Sequence, residues 1–415
     1  MLRRVMTNAR DLDIVLFGAT GYTGRLVADY LATSPSARGV RWAIAGRDRQ
    51  KLERVRGELG RPDLELLVAD ASDGRALDAI CARAKVVCTT VGPYAKYGDE
   101  LVAACVRNGT HSCDLTGEPQ WIRRTIELHD EAARASGARI VHCCGFDSIP
   151  SDLGTFMLDE AMRARGRRTA RVDSFFGEMR GKFSGGTFAS MLNGVEEMKR
   201  DPSVKRAFVD PYAFVPGGSG PDKRDMSGVS YEPRIGRWTA PFIMASINAP
   251  TVRRSNALLG YRYGRDFRYR ERMSLFGGAK GAIYATAITA GLGAFAGALQ
   301  VDPLRAVIAK RLPQPGEGPS PEERARGFFV VRYVAEADTS DGKPPLTLYG
   351  RCEDRRDPGY GSTAVMLGES AICLAKDPLE AAGGVLTPAS AMGAPLLARL
   401  RAAGMRWEVA DAPIG

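Results

Sequence analysis

Glycines frame the run Gly18-Ala19-Thr20-Gly21-Tyr22-Thr23-Gly24. A phosphate needs close backbone approach and a helix N-terminus aimed at it, and a Cβ at such positions would collide. The G-x-x-G-x-x-G spacing is a variant of the dinucleotide fingerprint G-x-G-x-x-G. Its placement carries the weight, between the apolar run Leu12–Phe17 and a helical pattern through Leu26, Tyr30 and Leu31. Gly18, Thr20, Gly21, Tyr22, Thr23 and Gly24 are the expected pyrophosphate-binding residues. The competing reading is a plain glycine-rich turn.

The end of the second apolar run selects the nucleotide. An acidic residue there would hold the ribose 2′-hydroxyl of NAD, but the sequence reads Ala45-Gly46-Arg47-Asp48. Arg47 can meet a 2′-phosphate with a bidentate fork, and Arg49 and Lys51 can assist, which favours NADP(H). Asp48 is expected to cap the following helix. Asp70 ends the third run near the expected adenine, while Gly92 and Pro93 follow the fourth, under the nicotinamide end.

The remaining composition bounds the chemistry. The chain has 415 residues, enough for about two domains. A net charge of +10 suits an anionic ligand, an acidic partner or an anionic membrane surface. The positive charge is scattered and no reader motif is present, so no nucleic-acid role is expected. Only His111, His129 and His142 supply imidazoles, none at zinc-ligand spacing, and no metal site is expected. Eight cysteines lie outside any C-x-x-C pair, which reads as thiol usage of a cytoplasmic protein. Met1–Asp11 lacks the apolar stretch of a signal peptide and reads as a disordered lead-in, with Met6 an alternative start.

Strands are expected at Leu12–Phe17, Val40–Ala45, Leu64–Val68, Lys85–Thr90, His111–Leu115 and Arg139–Cys143, the first five each followed by a helical pattern. Such alternation predicts a parallel sheet covered on both faces. After Pro150 the texture changes. Arg171–Arg180, Tyr261–Met273, Phe328–Ala337 and Leu346–Glu353 alternate apolar and polar residues, as antiparallel strands with one solvated face do. Pro211–Gly236 and Leu312–Pro321 read as long loops, and Thr387–Ala403 as a helix capped by Thr387 with Pro388 in its first turn. The expected domains are 1–150 for the nucleotide, 151–383 as an α+β substrate or oligomerisation unit, and 384–415 as a C-terminal helix returning to the first.

The glycine run, Ala45-Gly46-Arg47, Val91-Gly92-Pro93-Tyr94, Cys113-Asp114-Leu115-Thr116-Gly117-Glu118, Gly145-Phe146-Asp147-Ser148-Ile149-Pro150-Ser151-Asp152 and Gly384-Val385-Leu386-Thr387-Pro388 resemble the saccharopine dehydrogenase-like oxidoreductases over most of the chain. Within that family the chain looks most like the actinobacterial trans-acting enoyl reductases. The resemblance implies a Rossmann doubly wound parallel sheet, with a second α+β domain inserted before the C-terminal helix. It implies an NADPH-dependent reductase of carrier-bound polyketide or lipid intermediates, partnered by an acyl carrier or polyketide synthase. No cationic pocket for a dicarboxylic amino acid can be placed, so saccharopine chemistry itself falls behind. Two alternatives stay open: a reductase of a C=N or C=O bond in a small metabolite, and a non-catalytic NADP-binding protein associated with lipid or membrane.

Hydride addition to an enoyl thioester leaves an enolate that needs a hydrogen-bonding partner and a proton. Tyr94, beside the expected nicotinamide, is the first candidate, with ring packing as its alternative. Asp147 and Ser148 end the sixth strand and point by topology into the same cleft, as do Asp114, Thr116 and Glu118; loop capping is the competing role of Asp147. The uncharged stretch Gly281–Val301 is either a buried core or oligomer helix, consistent with a homodimer, or an acyl-tunnel lining or peripheral membrane contact. Arg270, Arg272, Lys280 and Arg305 flank it.

Overall fold

The computed structural model describes residues 10–181, 185–223, 228–311 and 318–414, leaving aside the side chains of 185–188 and of Ser203. The lead-in 1–9 and residues 312–317 of the second expected loop lie outside the described residues.

Alternating strands and helices build the first sheet. Its strands are β1 (Leu12–Phe17), β2 (Trp42–Gly46), β3 (Glu65–Val68), β4 (Ala84–Thr89), β5 (His111–Asp114) and β6 (Arg139–Val141). Every side chain of β1 and β2 is buried, as strands covered on both faces require. Asp48 caps the next helix as expected, its carboxylate accepting the Lys51 N–H at 3.0 Å. Asp73 does the same for the Gly74–Arg83 helix through the N–H groups of Arg75 and Ala76, both at 3.1 Å.

The second sheet comprises β7 (Thr169–Arg180), β8 (Ser230–Glu232), β9 (Arg237–Pro241), β10 (Arg268–Ser274), β11 (Phe328–Ala337) and β12 (Thr347–Asp354). The chain then returns to the first sheet as β13 (Gly384–Leu386), beside β6, and ends on β14 (Arg406–Ala410), beside β12. The sheet orders are β13-β6-β5-β4-β1-β2-β3, all parallel, and β14-β12-β11-β7-β10-β9-β8.

Several expectations change. β10 begins at Arg268 and runs parallel to β7, not antiparallel. Alternation reports one covered face, and strand direction leaves no mark on it. The expected loop Pro211–Gly236 contains β8. The C-terminal helix is two pieces, Pro388–Ala391 and Gly393–Ala402, followed by β14, so the tail from Gly384 onward serves both sheets. Thr387 does cap it, in a reciprocal box with Ser390. The uncharged stretch forms the helix Gly278–Gln300, of which only Gly281, Ala285 and Leu299 are buried. The buried-core reading of it is overturned.

The helix Ile149–Ala164 links the two sheets. Asp152 in its first turn is fully buried and accepts from the Ser255 hydroxyl at 2.5 Å and the Ala389 N–H at 2.7 Å. Burial pushes its carboxyl up to about 7. A folded value above the unfolded one favours the protonated state, so this stabilisation is complete below the unfolded value and is lost as pH rises through about 7. Urea midpoints of wild type against Asp152→Asn are therefore expected to diverge between pH 5 and 8. The expected divergence is about 2–4 kcal/mol, with wild type the one that weakens. A difference independent of pH would mean that Asp152 keeps one protonation state throughout.

Candidate active site

The order of the first sheet reverses between β1 and β4, and the crevice beyond their carboxyl ends is where such sheets bind ligands. Gly18 leaves β1 at φ +94°, and a Cβ there would lie 2.7 Å from Val91 Cγ2 and 2.8 Å from Thr90 Oγ1. The turn closes with the Gly21 N–H donating to Gly18 O at 3.0 Å. Gly24 is tighter still: its Cβ would sit 2.1 Å from Gly18 O. The helix Tyr22–Thr33 starts at Gly21 with no side-chain cap and no acidic residue in its first turn. Its first N–H groups and positive dipole end are thus directed at the crevice. These residues fit a dinucleotide pyrophosphate.

Arg47 directly follows β2, next to the turn, since the Gly18 N–H donates to Ala45 O at 2.9 Å. Its side chain is exposed and forms no hydrogen bond or ion pair with the described residues, leaving the guanidinium for a ligand. Asp70 follows β3 and is exposed; its carboxylate accepts from the Ser72 hydroxyl at 2.6 Å and the Ser72 N–H at 3.0 Å. Those bonds, with Arg47 nearby, hold it below the usual carboxylate range. Gly92 is exposed beyond β4, and Pro93 precedes the short helix Tyr94–Tyr97.

Tyr94 points inward. Its hydroxyl donates to Thr89 O at 3.1 Å and accepts the Leu115 N–H at 3.4 Å, and its ring stacks on Trp121 at 5.3 Å. Burial drives the phenol well above its usual range. Tyr94 therefore braces the ends of β4 and β5. Glu118, also buried, caps the Tyr94 helix by accepting the N–H groups of Tyr94 at 2.8 Å and Ala95 at 2.9 Å, and it takes the Ser190 hydroxyl at 2.8 Å. Burial raises its carboxyl.

The β6 end carries the other candidates. His142 Nδ1 lies 2.6 Å from Asp114 Oδ2, joining β5 to β6, and its ring meets Trp121 edge-on. Cys143 adopts φ +65°, a left-handed backbone rare for a residue with a Cβ. Burial pushes its thiol up, which disfavours a thiolate nucleophile. Asp147 is largely buried, and burial pushes its carboxyl up to about 6. Ser148 donates to Asn248 Oδ1 at 2.7 Å, Asn248 donates to Glu271 at 2.6 Å, and Ser151 and Tyr269 donate to the same carboxylate at 2.7 Å. Phe146, between these groups, packs on Phe329 of the second sheet with ring centroids 4.6 Å apart.

Tyr94 follows β4 and Asp147 and Ser148 follow β6, with β5 between those strands and the phosphate turn after β1 on the other side of β4. Sequence reasoning missed the second-sheet side of the crevice. Tyr22 donates its hydroxyl to Pro319 O and receives a hydrogen bond from Arg324, and its ring meets Tyr360 edge-on at 4.6 Å. It also missed Asn248 and Glu271. No motif marks them; Asn248 meets Ser148 across a separation of 100 residues, and Glu271 reaches it through Asn248. A shallow cavity of about 330 Å³ near Arg123, Asp210 and Gly217 is lined by none of the phosphate-turn residues.

A doubly wound sheet with this turn and an arginine after β2 defines an NADP-dependent oxidoreductase. Residues 14–141 match the saccharopine dehydrogenase NADP binding domain. The trans-acting enoyl reductase of Mycobacterium leprae is 39% identical over 416 residues, covering 95% of this chain and 97% of that protein. A Mycobacterium tuberculosis H37Rv protein, provisionally named for the same activity, is 44% identical over 413 residues with the same coverage. The apo saccharopine dehydrogenase (L-Glu forming) of Saccharomyces cerevisiae shares the fold, with a TM-score of 0.55 over 96% of this chain and 99% of that one at 12% identity. The chain belongs to the saccharopine dehydrogenase-like oxidoreductases, in the group of the trans-acting enoyl reductases.

Proposed function

We propose that this protein reduces the carbon–carbon double bond of an enoyl thioester carried by a polyketide synthase that lacks the activity itself. The end-to-end similarity to proteins named trans-acting enoyl reductase carries this reading. When bound, NADPH supplies the hydride. The residues of the glycine turn and Arg47 would hold it, together with Gly92, Pro93 and Asp70. Hydride arriving at the β-carbon moves the double-bond electron pair to the α-carbon and thioester oxygen, and the α-carbon then takes a proton.

Asp147 is the proton donor in this reading. Its carboxyl, raised to about 6, is protonated over a pH range where an ordinary aspartate is not. Ser148, fixed by Asn248 and Glu271, positions the loop, and Tyr94 positions the ends of β4 and β5. The acid must be protonated to work, so kcat is expected to fall as pH rises above about 6. Asp147→Asn is expected to lower kcat by about 100-fold and to flatten that fall. A variant that keeps the wild-type pH profile removes Asp147 from the proton transfer.

The function is tested with a carrier-bound enoyl substrate. NADPH oxidation is followed by absorbance, and the product by mass, which should gain two hydrogens. Oxidation with an imine or ketone of a free metabolite, and none with the carrier-bound enoyl group, would overturn the proposal.

A further inference from the structure

The helix Gly278–Gln300 and the helix Asp302–Arg311 that follows it are unlike the rest of the surface. From Gly281 to Val301 no residue is charged, and the second helix buries no residue at all. A helix apolar on all sides belongs inside a protein or against lipid. Yet only 11% of the most apolar window of the first helix is buried. Thirteen large apolar side chains are exposed among the described residues, and six of them (Phe276, Ile283, Tyr284, Val301, Leu304 and Val307) fall within this short stretch.

The first helix is held to the folded domain near both ends. At its start, Gly281 lets it press against Trp238, where a Cβ would come within 2.9 Å of the indole. Just past its end, Lys199 of the helix Gly185–Arg200 pairs with Asp302. Lys280 sits over the Phe276 ring at 4.6 Å and beside Tyr284 at 5.9 Å, a cation with two amphipathic rings at the root of the apolar face. Aromatic rings and long basic side chains of this kind favour the boundary between lipid headgroups and acyl chains.

Charge selects the occupant. Residues 278–311 carry Lys280, Arg305, Lys310 and Arg311 against Asp302 alone, so 4 − 1 = +3. Asp302 is moreover already paired with Lys199 and Arg305. A second copy of the chain would bring the same positive charge against itself. An anionic lipid surface would attract it.

We propose that the two helices form an interfacial membrane-docking face that seats in the headgroup layer of an anionic bilayer. The helix Gly278–Gln300 lies in the membrane plane, and Lys280, Lys310 and Arg311 contact lipid phosphates. The docking is peripheral, since both ends of the helix are tied to the folded domain. It stands apart from the proposed reaction and holds for any substrate.

Flotation of the full-length protein with vesicles tests this. Vesicles containing phosphatidylglycerol should carry the protein, with partitioning at least about tenfold above pure phosphatidylcholine vesicles and falling with added salt. The exposed double substitution Ile283→Asp with Leu304→Asp should abolish flotation, and Lys310→Glu with Arg311→Glu should remove the preference for the anionic lipid. Unchanged NADPH affinity certifies that each variant is folded. Absence of flotation with the anionic vesicles overturns the proposal, as does flotation undiminished by the aspartates. Sedimentation showing a dimer that the aspartates dissociate overturns it in favour of a second copy.

Discussion

Gly24→Ala is expected to weaken NADPH binding by at least about 100-fold and to destabilise the fold by about 1–3 kcal/mol. The added Cβ would lie 2.1 Å from Gly18 O and 2.9 Å from the Ala19 Cα, both backbone atoms that no rotamer change can move. Relief requires the helix Tyr22–Thr33 to slide away from the turn. That motion carries the uncapped N–H groups off the pyrophosphate and opens the hydrogen bond from the Gly21 N–H to Gly18 O. Binding and folding should therefore suffer together. NADPH fluorescence titration and a urea melt read the two effects separately. Binding within twofold of wild type would place the dinucleotide elsewhere. Gly21→Ala is the informative contrast, because its Cβ would stand at 3.4 Å from Gly18 O, an ordinary contact.

Arg47→Ala is expected to erase most of the preference for NADPH over NADH while leaving the fold untouched. Charge-assisted hydrogen bonds contribute about 1.5–3 kcal/mol, so the NADPH affinity should fall by about 10- to 150-fold, with NADH affinity nearly constant. Stability should change by less than about 0.5 kcal/mol, because the side chain is exposed and forms no hydrogen bond or ion pair with a described residue. The pair of dissociation constants, measured at one salt concentration, checks this. A preference that survives the substitution assigns the 2′-phosphate to another cation, with Arg49 the nearest in sequence.

Both predictions concern a stretch of the site that is legible in the sequence for a physical reason. A phosphate turn is built from consecutive residues, so its chemistry appears as spacing: Gly18, Gly21 and Gly24 within one turn, Arg47 at the end of the next strand. The same locality made the Asp48 and Thr387 caps readable. The side of the crevice proposed for proton transfer is different. Tyr94 stands where a catalytic tyrosine was expected, yet its hydroxyl is taken up by Thr89 O and the Leu115 N–H. Which way a side chain turns depends on partners across the sheet, and nothing near Tyr94 in the sequence records them.

The sequence by itself determined the family, the cofactor chemistry and the parallel first sheet. These follow from residue types and their periodicity over short windows. Only the tertiary structure decided that β10 runs parallel to β7, that the tail contributes a last strand to the second sheet, and that Ser148 is held by Asn248 and Glu271. It also decided that Tyr22 of the phosphate turn is clasped by Pro319 and Arg324, and that the Gly278–Gln300 helix faces outward. Each of these rests on contacts between distant segments. An apolar helix has one composition whether it is buried or exposed, and only the packing of its neighbours separates the two.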